Sequence, residues 1–582
     1  MSNLPFGGEG TNHEHGAGVE QCSLHSLLPP PFQERTAQSP HLLEYLHQVP
    51  IGEVGLPDFY PELNRKLGDL RHPNLIYPVA DHLFVHIFPD AGDARDYYIA
   101  IEPSSVEDLA PVLEKLEARL MDYVEALERA ETAEAKAEVL RRAVRENCVV
   151  TGNGNGRPSS GKGGGRGLLG VFSRSAKSGG KIPVTAKQLA GLEYLLVRDK
   201  IGLGILDPMT HDPHIEDISC SGLGPIFIEH KVFKGLKSTT RFDKDEVLDD
   251  FVIRLSEKIG RPVTYRNPIV DATLPDGSRI NIVYGGDVSK RGSNFTIRKF
   301  ASTPLSIVDI IQGGGVNYQM AAYLWLVVSE GMNLFVSGET ASGKTTLLNA
   351  ISGFIQPWAK IVSIEDTPEL QVPHPNWIRE VVRGTLADED STVTMFNLLK
   401  AALRQRPNCI IVGEIRGEEG AVAFQAMQTG HAVMATFHAS SVEKLIQRLT
   451  GIPISVPKVY VDNLNVVVLC SSVRLPDGKM GRRITGINEI IDYDSENDSF
   501  SFVEIFRWDS SRDVFEFTGS GNSYLLEHAI APRRGLDVRS KRAIYDELER
   551  RAVLIQKMHE GGRTNFYDLY KVFSQAGREG LL

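Results

Sequence analysis

The sequence predicts an α/β architecture. A core of alternating strands and helices fills the second half of the chain, preceded by a smaller α+β domain and, before that, an extra N-terminal α/β domain. Three observations predict it. A chain of 582 residues is too long for one compact core, and roughly two to four domains are expected. From Ile307 to about residue 480, apolar strand patterns alternate with helical ones, as in a layered α/β unit. A Gly/Ser-rich stretch at 150–185 divides two segments of ordinary globular composition.

Taken in order, residues 1–50 are rich in Gly, Pro, His, Ser and Gln without a period and are expected to be a disordered tail. Residues 51–149 read as the extra α/β domain. Residues 83–88 alternate like a strand. The charged stretch 106–147 is helical, with Leu113, Leu116, Leu120, Tyr123, Val124 and Leu127 at three- and four-residue steps, a stripe suited to a core or a helix-hairpin seam. Residues 150–185 read as a linker. Between Cys148 and Leu192 there are seven Lys/Arg and no acid, which fits a solvated tether or contact with anionic lipid. Residues 186–303 read as α+β, with strands near 226–229, 280–284 and 294–298 and a helix over 244–259. Residues 304–582 hold the core and a C-terminal extension of short strands followed by a charged helix near 541–558.

Bulk properties exclude some functions. A net charge of -11 gives no reason to expect general nucleic-acid affinity. The five cysteines form no CxxC pair, so neither a disulfide framework nor a four-cysteine zinc site is expected. No apolar run approaches the roughly 20 residues that span a bilayer, and no signal-peptide pattern opens the chain. A cytoplasmic protein, peripheral to a membrane through a partner or surface patch, is expected.

The strongest chemical signal is Gly338-Glu339-Thr340-Ala341-Ser342-Gly343-Lys344-Thr345-Thr346, a G-x-x-x-x-G-K-[ST] loop between a strand pattern (333–337) and a helical one (347–355). Glycines let backbone N–H groups close around phosphates, and the helix N-terminus favours negative charge. Lys344 is placed to reach the β- and γ-phosphates of ATP and Thr345 to bind Mg²⁺. A second apolar strand, Cys409-Ile410-Ile411-Val412-Gly413-Glu414, follows. The aspartate usual there is replaced by Gly413, and Glu414 is the candidate to hold Mg²⁺ through water or to polarise the attacking water.

Three more segments make the pattern specific: Ile361-Val362-Ser363-Ile364-Glu365-Asp366-Thr367-Pro368-Glu369-Leu370; Leu403-Arg404-Gln405-Arg406-Pro407 running into Glu414-Ile415-Arg416-Gly417; and Thr429-Gly430-His431-Ala432-Val433-Met434-Ala435-Thr436-Phe437-His438-Ala439. With the phosphate loop, these resemble the Asp box, Walker B region and His box of the type II/type IV secretion ATPase superfamily, in wording closest to its archaeal branch, over about residues 186–490. The resemblance implies a RecA-like core preceded by a PAS-like α+β domain. It also implies Glu365 as catalytic base, a role for which Glu414 competes. His438 reads as a γ-phosphate sensor and His431 as a loop or subunit-contact residue. Their spacing of seven along a strand sends the two side chains to opposite faces, against shared metal ligation. Arg279, after the turn Leu274-Pro275-Asp276-Gly277-Ser278, and Arg298 resemble the family's N-terminal-domain arginines, which complete the site. The four-cysteine module of bacterial relatives is missing.

The mechanism so implied is a homohexameric ring in which ATP closes the 186–300 domain onto the core and hydrolysis releases it. The ring would drive a polytopic membrane platform protein that assembles pilin-like or archaellin filaments or a secretion apparatus. The rival readings are a nucleic-acid translocase or helicase on the same core and a nucleotide-gated scaffold with negligible turnover.

Overall fold

The computed structural model describes residues 4–6, 22–105, 108–151, 180–300, 303–383, 392–536 and 541–578. The chain divides into two compact units, Met1–Phe300 and Ala301–Leu582.

The N-terminal unit is built on one ten-stranded sheet. Strands Leu75–Ala80, Leu83–Phe88 and Tyr97–Ile101 form an antiparallel meander. Tyr97 and Tyr98 then pair in parallel with Lys237 and Ser238 of the strand Lys234–Phe242. The segments predicted as two domains, 51–149 and 186–303, therefore share a sheet. Alternation along these strands explains why. Leu75, Tyr77, Val85, Ile87 and Tyr98 enter the same core as Ile218, Ile228 and Phe295. Ile76, Phe84, Phe88, Ile99 and Ile101 point to the opposite face.

That opposite face corrects the expectation for residues 1–50. Helices Ser23–Leu27, Pro30–Gln38 and Pro40–Leu46 cover it, burying Phe32, Leu42, Leu43 and Leu46. Left bare, it would expose a contiguous apolar surface to water. Residues 1–3 and 7–21 of the expected tail, and 152–179 of the expected linker, lie outside the described residues. The predicted helical stripe is broken into Ala110–Glu117, a 3₁₀ turn, Val124–Arg129 and Ala133–Asn147. Of its residues Leu116 is buried, whereas Val124 is 40% exposed. Helix Ala186–Lys200 starts at a capping box in which Thr185 and Gln188 satisfy each other's backbone N–H. The predicted strands and helix of 186–303 appear as Gly224–His230, Arg279–Val283, Asn294–Arg298 and Asp245–Lys258.

The C-terminal unit carries a nine-stranded sheet. Six strands run parallel in the order Trp377–Val381, Ile361–Glu365, Cys409–Val412, Ala432–Phe437, Leu334–Gly338, Val466–Arg474. The extension is longer-stranded than expected: Met480–Asp494 and Ser499–Asp509 continue the sheet antiparallel, with Val514–Phe517 at its edge. The central parallel strands are buried along their length, as sheets covered on both faces require. Helices Tyr318–Ser329 and Lys541–Glu560 pack in the core on one side with the phosphate-loop helix Lys344–Ser352. Met395–Ala402, Glu419–Gln428 and Val442–Thr450 enclose the second core.

No helix among the described residues is long and apolar enough to cross a membrane. All five cysteines are buried and none is in a disulfide.

Candidate active site

Four neighbouring parallel strands end at one edge of the C-terminal sheet, and each delivers one of the motifs picked out in the sequence. Strand register sets their levels. Ser337 lies beside Phe437, Val412 beside Ala435 and Ile364 beside Val412. Gly338, Glu365, Gly413-Glu414 and His438 therefore leave the sheet side by side. Ligands in open α/β sheets bind at this carboxyl edge.

The phosphate loop runs from Gly338 to the helix Lys344–Ser352, whose N-cap is Gly343 in the left-handed region (φ 93°). Ala341 also has positive φ (62°). Gly338 is fixed by crowding: a Cβ there would lie 2.1 Å from the Cys470 carbonyl oxygen. Lys344 Nζ donates to the carbonyls of Gly338 (3.0 Å) and Glu339 (2.8 Å), and Ser342 Oγ donates to Glu339 (2.7 Å). The loop thus folds around its own lysine. Burial lowers the Lys344 pKa, opposed by the nearby Glu414. Thr340, Thr345 and Thr346 complete the loop and first helical turn, Thr345 being half-buried.

Glu365 is 1% exposed at its strand end. Its Oε1 accepts from the backbone N–H groups of Glu369 and Leu370, both at 2.7 Å. Among the described residues its Oε2 has one longer contact, Arg379 Nε at 3.4 Å. Burial raises its pKa against the pull of those N–H groups and Arg379. Asn349, on the phosphate-loop helix, clips the same turn by donating to Glu369 O (3.0 Å) and accepting from Gln371 N (2.8 Å).

Glu414 is more open and has the opposite electrostatics. Burial works to raise its pKa, but the Arg416 hydrogen bond (2.6 Å) and nearby Lys344 and His438 hold it below the ordinary value. Arg416 also approaches Asp366 Oδ2 at 3.6 Å, linking the Asp box to the strand end of Glu414. His438 is half-buried, and its carbonyl accepts from Arg448 Nη1. Ser337 Oγ ties the phosphate-loop strand to Ala439, donating to its carbonyl (2.7 Å) and accepting from its N–H (3.2 Å). His431 sits at the other end of the strand Ala432–Phe437, its Nδ1 3.0 Å from Thr429 Oγ1.

Arg279 and Arg298 lie in the N-terminal unit. They are paired in register on adjacent antiparallel strands, and both are exposed. Arg279 binds Asp271 through two nitrogens (3.1 and 2.7 Å), and Arg298 binds Asp217 (3.2 Å). Each positive charge is thereby offset on the surface.

Neither Arg379 nor the bridging role of Arg416 is among the residues the sequence predicts for the site. The signal for Arg416 was present, since it stands two residues after Glu414. Arg379 depends on the pairing of Ser363 with Arg379 across two parallel strands, which sequence spacing does not reveal.

Comparison with known proteins bears on the same segment. The family model described as "Type II/IV secretion system protein" matches residues 200–480, which include all four motifs. The uncharacterized protein MJ0900 of Methanocaldococcus jannaschii is 43% identical over 559 residues, 94% of this chain and 98% of that one. The type IV secretion system protein PtlH of Bordetella pertussis is 35% identical over 212 residues, 33% of this chain and 62% of PtlH. Among solved structures, the VirB11 ATPase of the Brucella suis type IV secretion system is 25% identical with a TM-score of 0.25, covering 48% of this chain and 91% of that one. With an archaeal relative aligned along nearly its whole length and the family model spanning every motif at the sheet edge, the chain belongs to the type II/IV secretion ATPase superfamily.

Proposed function

We propose that the chain is an ATP hydrolase that acts as a ring-forming motor for a pilus-like or archaellum filament or a secretion apparatus. The supporting observation is the convergence of Lys344, Glu365, Glu414 and His438 on one sheet edge. In this reading the amides of 338–346 and Lys344 bind the phosphates. Glu365 accepts the proton of the attacking water on Oε2, the oxygen its own turn leaves least engaged. Its raised pKa suits a base. Glu414, kept ionised, and the Thr345 hydroxyl form an all-oxygen donor pair that fits Mg²⁺. Bound there, the ion would offset charge on the phosphates. His438 reports on the γ-phosphate. Arg279 and Arg298 are proposed to add positive charge to phosphoryl transfer after exchanging their aspartate partners for phosphate.

The finer reading is a homohexamer peripheral to the cytoplasmic membrane, working on a polytopic platform protein. Turnover measured across protein concentrations that span assembly, with and without duplex DNA, tests it. A steep concentration dependence and no response to DNA support the motor. Activity independent of concentration and raised by DNA would establish the translocase instead.

A further inference from the structure

Arg482 stands on a hairpin beside the phosphate loop. The strand Val466–Arg474 is a parallel neighbour of the phosphate-loop strand, with Cys470 in register with Gly338. Met480–Asp494 returns antiparallel to it, placing Arg482 opposite Ser472. The turn between them is Leu475-Pro476-Asp477-Gly478, closed by Leu475 N–H to Lys479 O (2.8 Å) and Gly478 N–H to Leu475 O (2.9 Å). The same four-residue turn with the same two bonds precedes Arg279 in the other unit: Leu274 to Ser278 O (2.7 Å) and Gly277 to Leu274 O (2.9 Å).

Two consecutive arginines follow the second turn, and they differ sharply. Arg483 is 6% exposed, donates twice to Asp513 at 2.7 Å and once to Gly313 O at 3.1 Å. Arg482 is exposed, and its side chain makes no hydrogen bond or ion pair among the described residues. Its stem nevertheless has a defined place. Cδ lies 3.5 Å from the position a Cβ on Gly343 would take, and among the described residues no other atom outside Gly343 and its chain neighbours comes within 4 Å of that position. Gly343 is the N-cap of the phosphate-loop helix.

We propose that Arg482 is a nucleotide-phosphate ligand supplied from within the same chain, an inference that rests on reading 338–346 as the ATP site. A guanidinium offers five donors in a plane and has no acceptor of its own to satisfy, so it suits a phosphate chain better than any neutral group. Arg482 has its stem against the loop and its head uncommitted, so binding phosphate breaks no existing contact. Lys344 must by contrast leave two carbonyls to do the same. Because Arg482 belongs to the antiparallel extension, it also ties that hairpin to the state of the nucleotide.

Titration of the full-length protein with N-methylanthraniloyl-ATP and the matching ADP analogue, in the presence of Mg²⁺, tests this. Arg482→Ala should weaken both nucleotides about tenfold or more, the size of one lost charge-assisted contact. Arg482→Lys should recover part of the loss, because it keeps the charge and loses the fork. The ligand-free unfolding temperature should not change. If Arg482→Ala binds within twofold of wild type while Lys344→Ala does not bind, the Arg482 inference is wrong and the phosphate-loop reading stands. If wild type itself fails to bind either analogue, both fall together.

Discussion

Gly413 lies against Glu365: a Cβ added at position 413 would sit 3.3 Å from Glu365 Cγ and 3.4 Å from its Cα. The residue preceding Glu414 thus leaves room for the buried carboxylate on the next strand, with Gly413 N–H bonded to Ile364 O at 2.8 Å. This contact supplies a physical reason for glycine where an aspartate is usual in such cores. Any side chain there pushes on Glu365.

Gly413→Ala should therefore misplace Glu365 without touching the phosphate loop. The shift required is only a few tenths of an ångström, less than the roughly 1 Å misplacement that costs about a hundredfold, so turnover should fall by up to about tenfold. ATP affinity should stay within about twofold, since Lys344 and Gly343 are unaffected. Steady-state kinetics with a parallel binding titration checks this. Weakened binding with unchanged kcat would contradict it.

The two carboxylates should separate by variant. Glu365→Gln removes the proton acceptor and should lower kcat at least a hundredfold, with ATP still bound. Glu414→Gln should instead shift the Mg²⁺ concentration needed for half-maximal activity upward. The pH profile gives a second handle. Burial raises the Glu365 pKa, so its base form is lost as pH falls through a value above the ordinary carboxylate range. The acid limb of kcat/KM should fall there, and an acid limb at or below the ordinary glutamate value would contradict the assignment.

Gly338→Ala is a structural test. The added methyl would meet the Cys470 carbonyl at 2.1 Å, and neither backbone segment can yield without breaking the register of two central strands. The C-terminal unit should lose about 3 kcal/mol, at the upper end of overpacking costs. Thermal unfolding should show a lowered transition even without nucleotide.

The N-terminal unit should be the more acid-sensitive. Burial lowers His86 to about 3 and His230 to about 4, so both remain neutral in the folded unit while the unfolded chain protonates near 6.5. The unfolded chain binds more protons over that interval, and stability falls as pH drops below 6.5. For His230 alone the loss is on the order of 3 kcal/mol by pH 4. Hydrogen exchange corrected for intrinsic rates should show Leu83–Phe88 and Gly224–His230 losing protection before Cys409–Val412. Equal loss in both units would contradict this.

How much of this could be read in the sequence depends on how local each feature is. The phosphate loop was legible because its strand, turn and helix are contiguous, and 338–346 falls where the motif placed it. Glu365, Glu414 and His438 were legible singly, since each ends an apolar strand. Their order was not: the sheet sequence of the strands ending at Glu365, Val412, Phe437 and Gly338 is set by crossovers that no spacing encodes, and the Gly413–Glu365 contact follows from it. The helices within residues 22–50 were missed because composition outweighed position. Pro30 and Pro40 each open a helix at the first position, where a missing N–H costs nothing, and Leu42, Leu43 and Leu46 already show helical spacing. The merging of 51–149 with 186–303 was hidden because it rests on a two-residue parallel pairing, Tyr97 and Tyr98 with Lys237 and Ser238, across about 140 residues of chain.

The central claim, that these strand ends form one ATP-hydrolysing site, is tested most directly by phosphate release from Mg-ATP by the purified full-length protein beside its Lys344→Ala and Glu365→Gln variants. The account predicts sustained release by wild type, with both variants reduced to background and Glu365→Gln still binding ATP. Release by Lys344→Ala equal to wild type, or no release by wild type at any concentration that allows assembly, would contradict it.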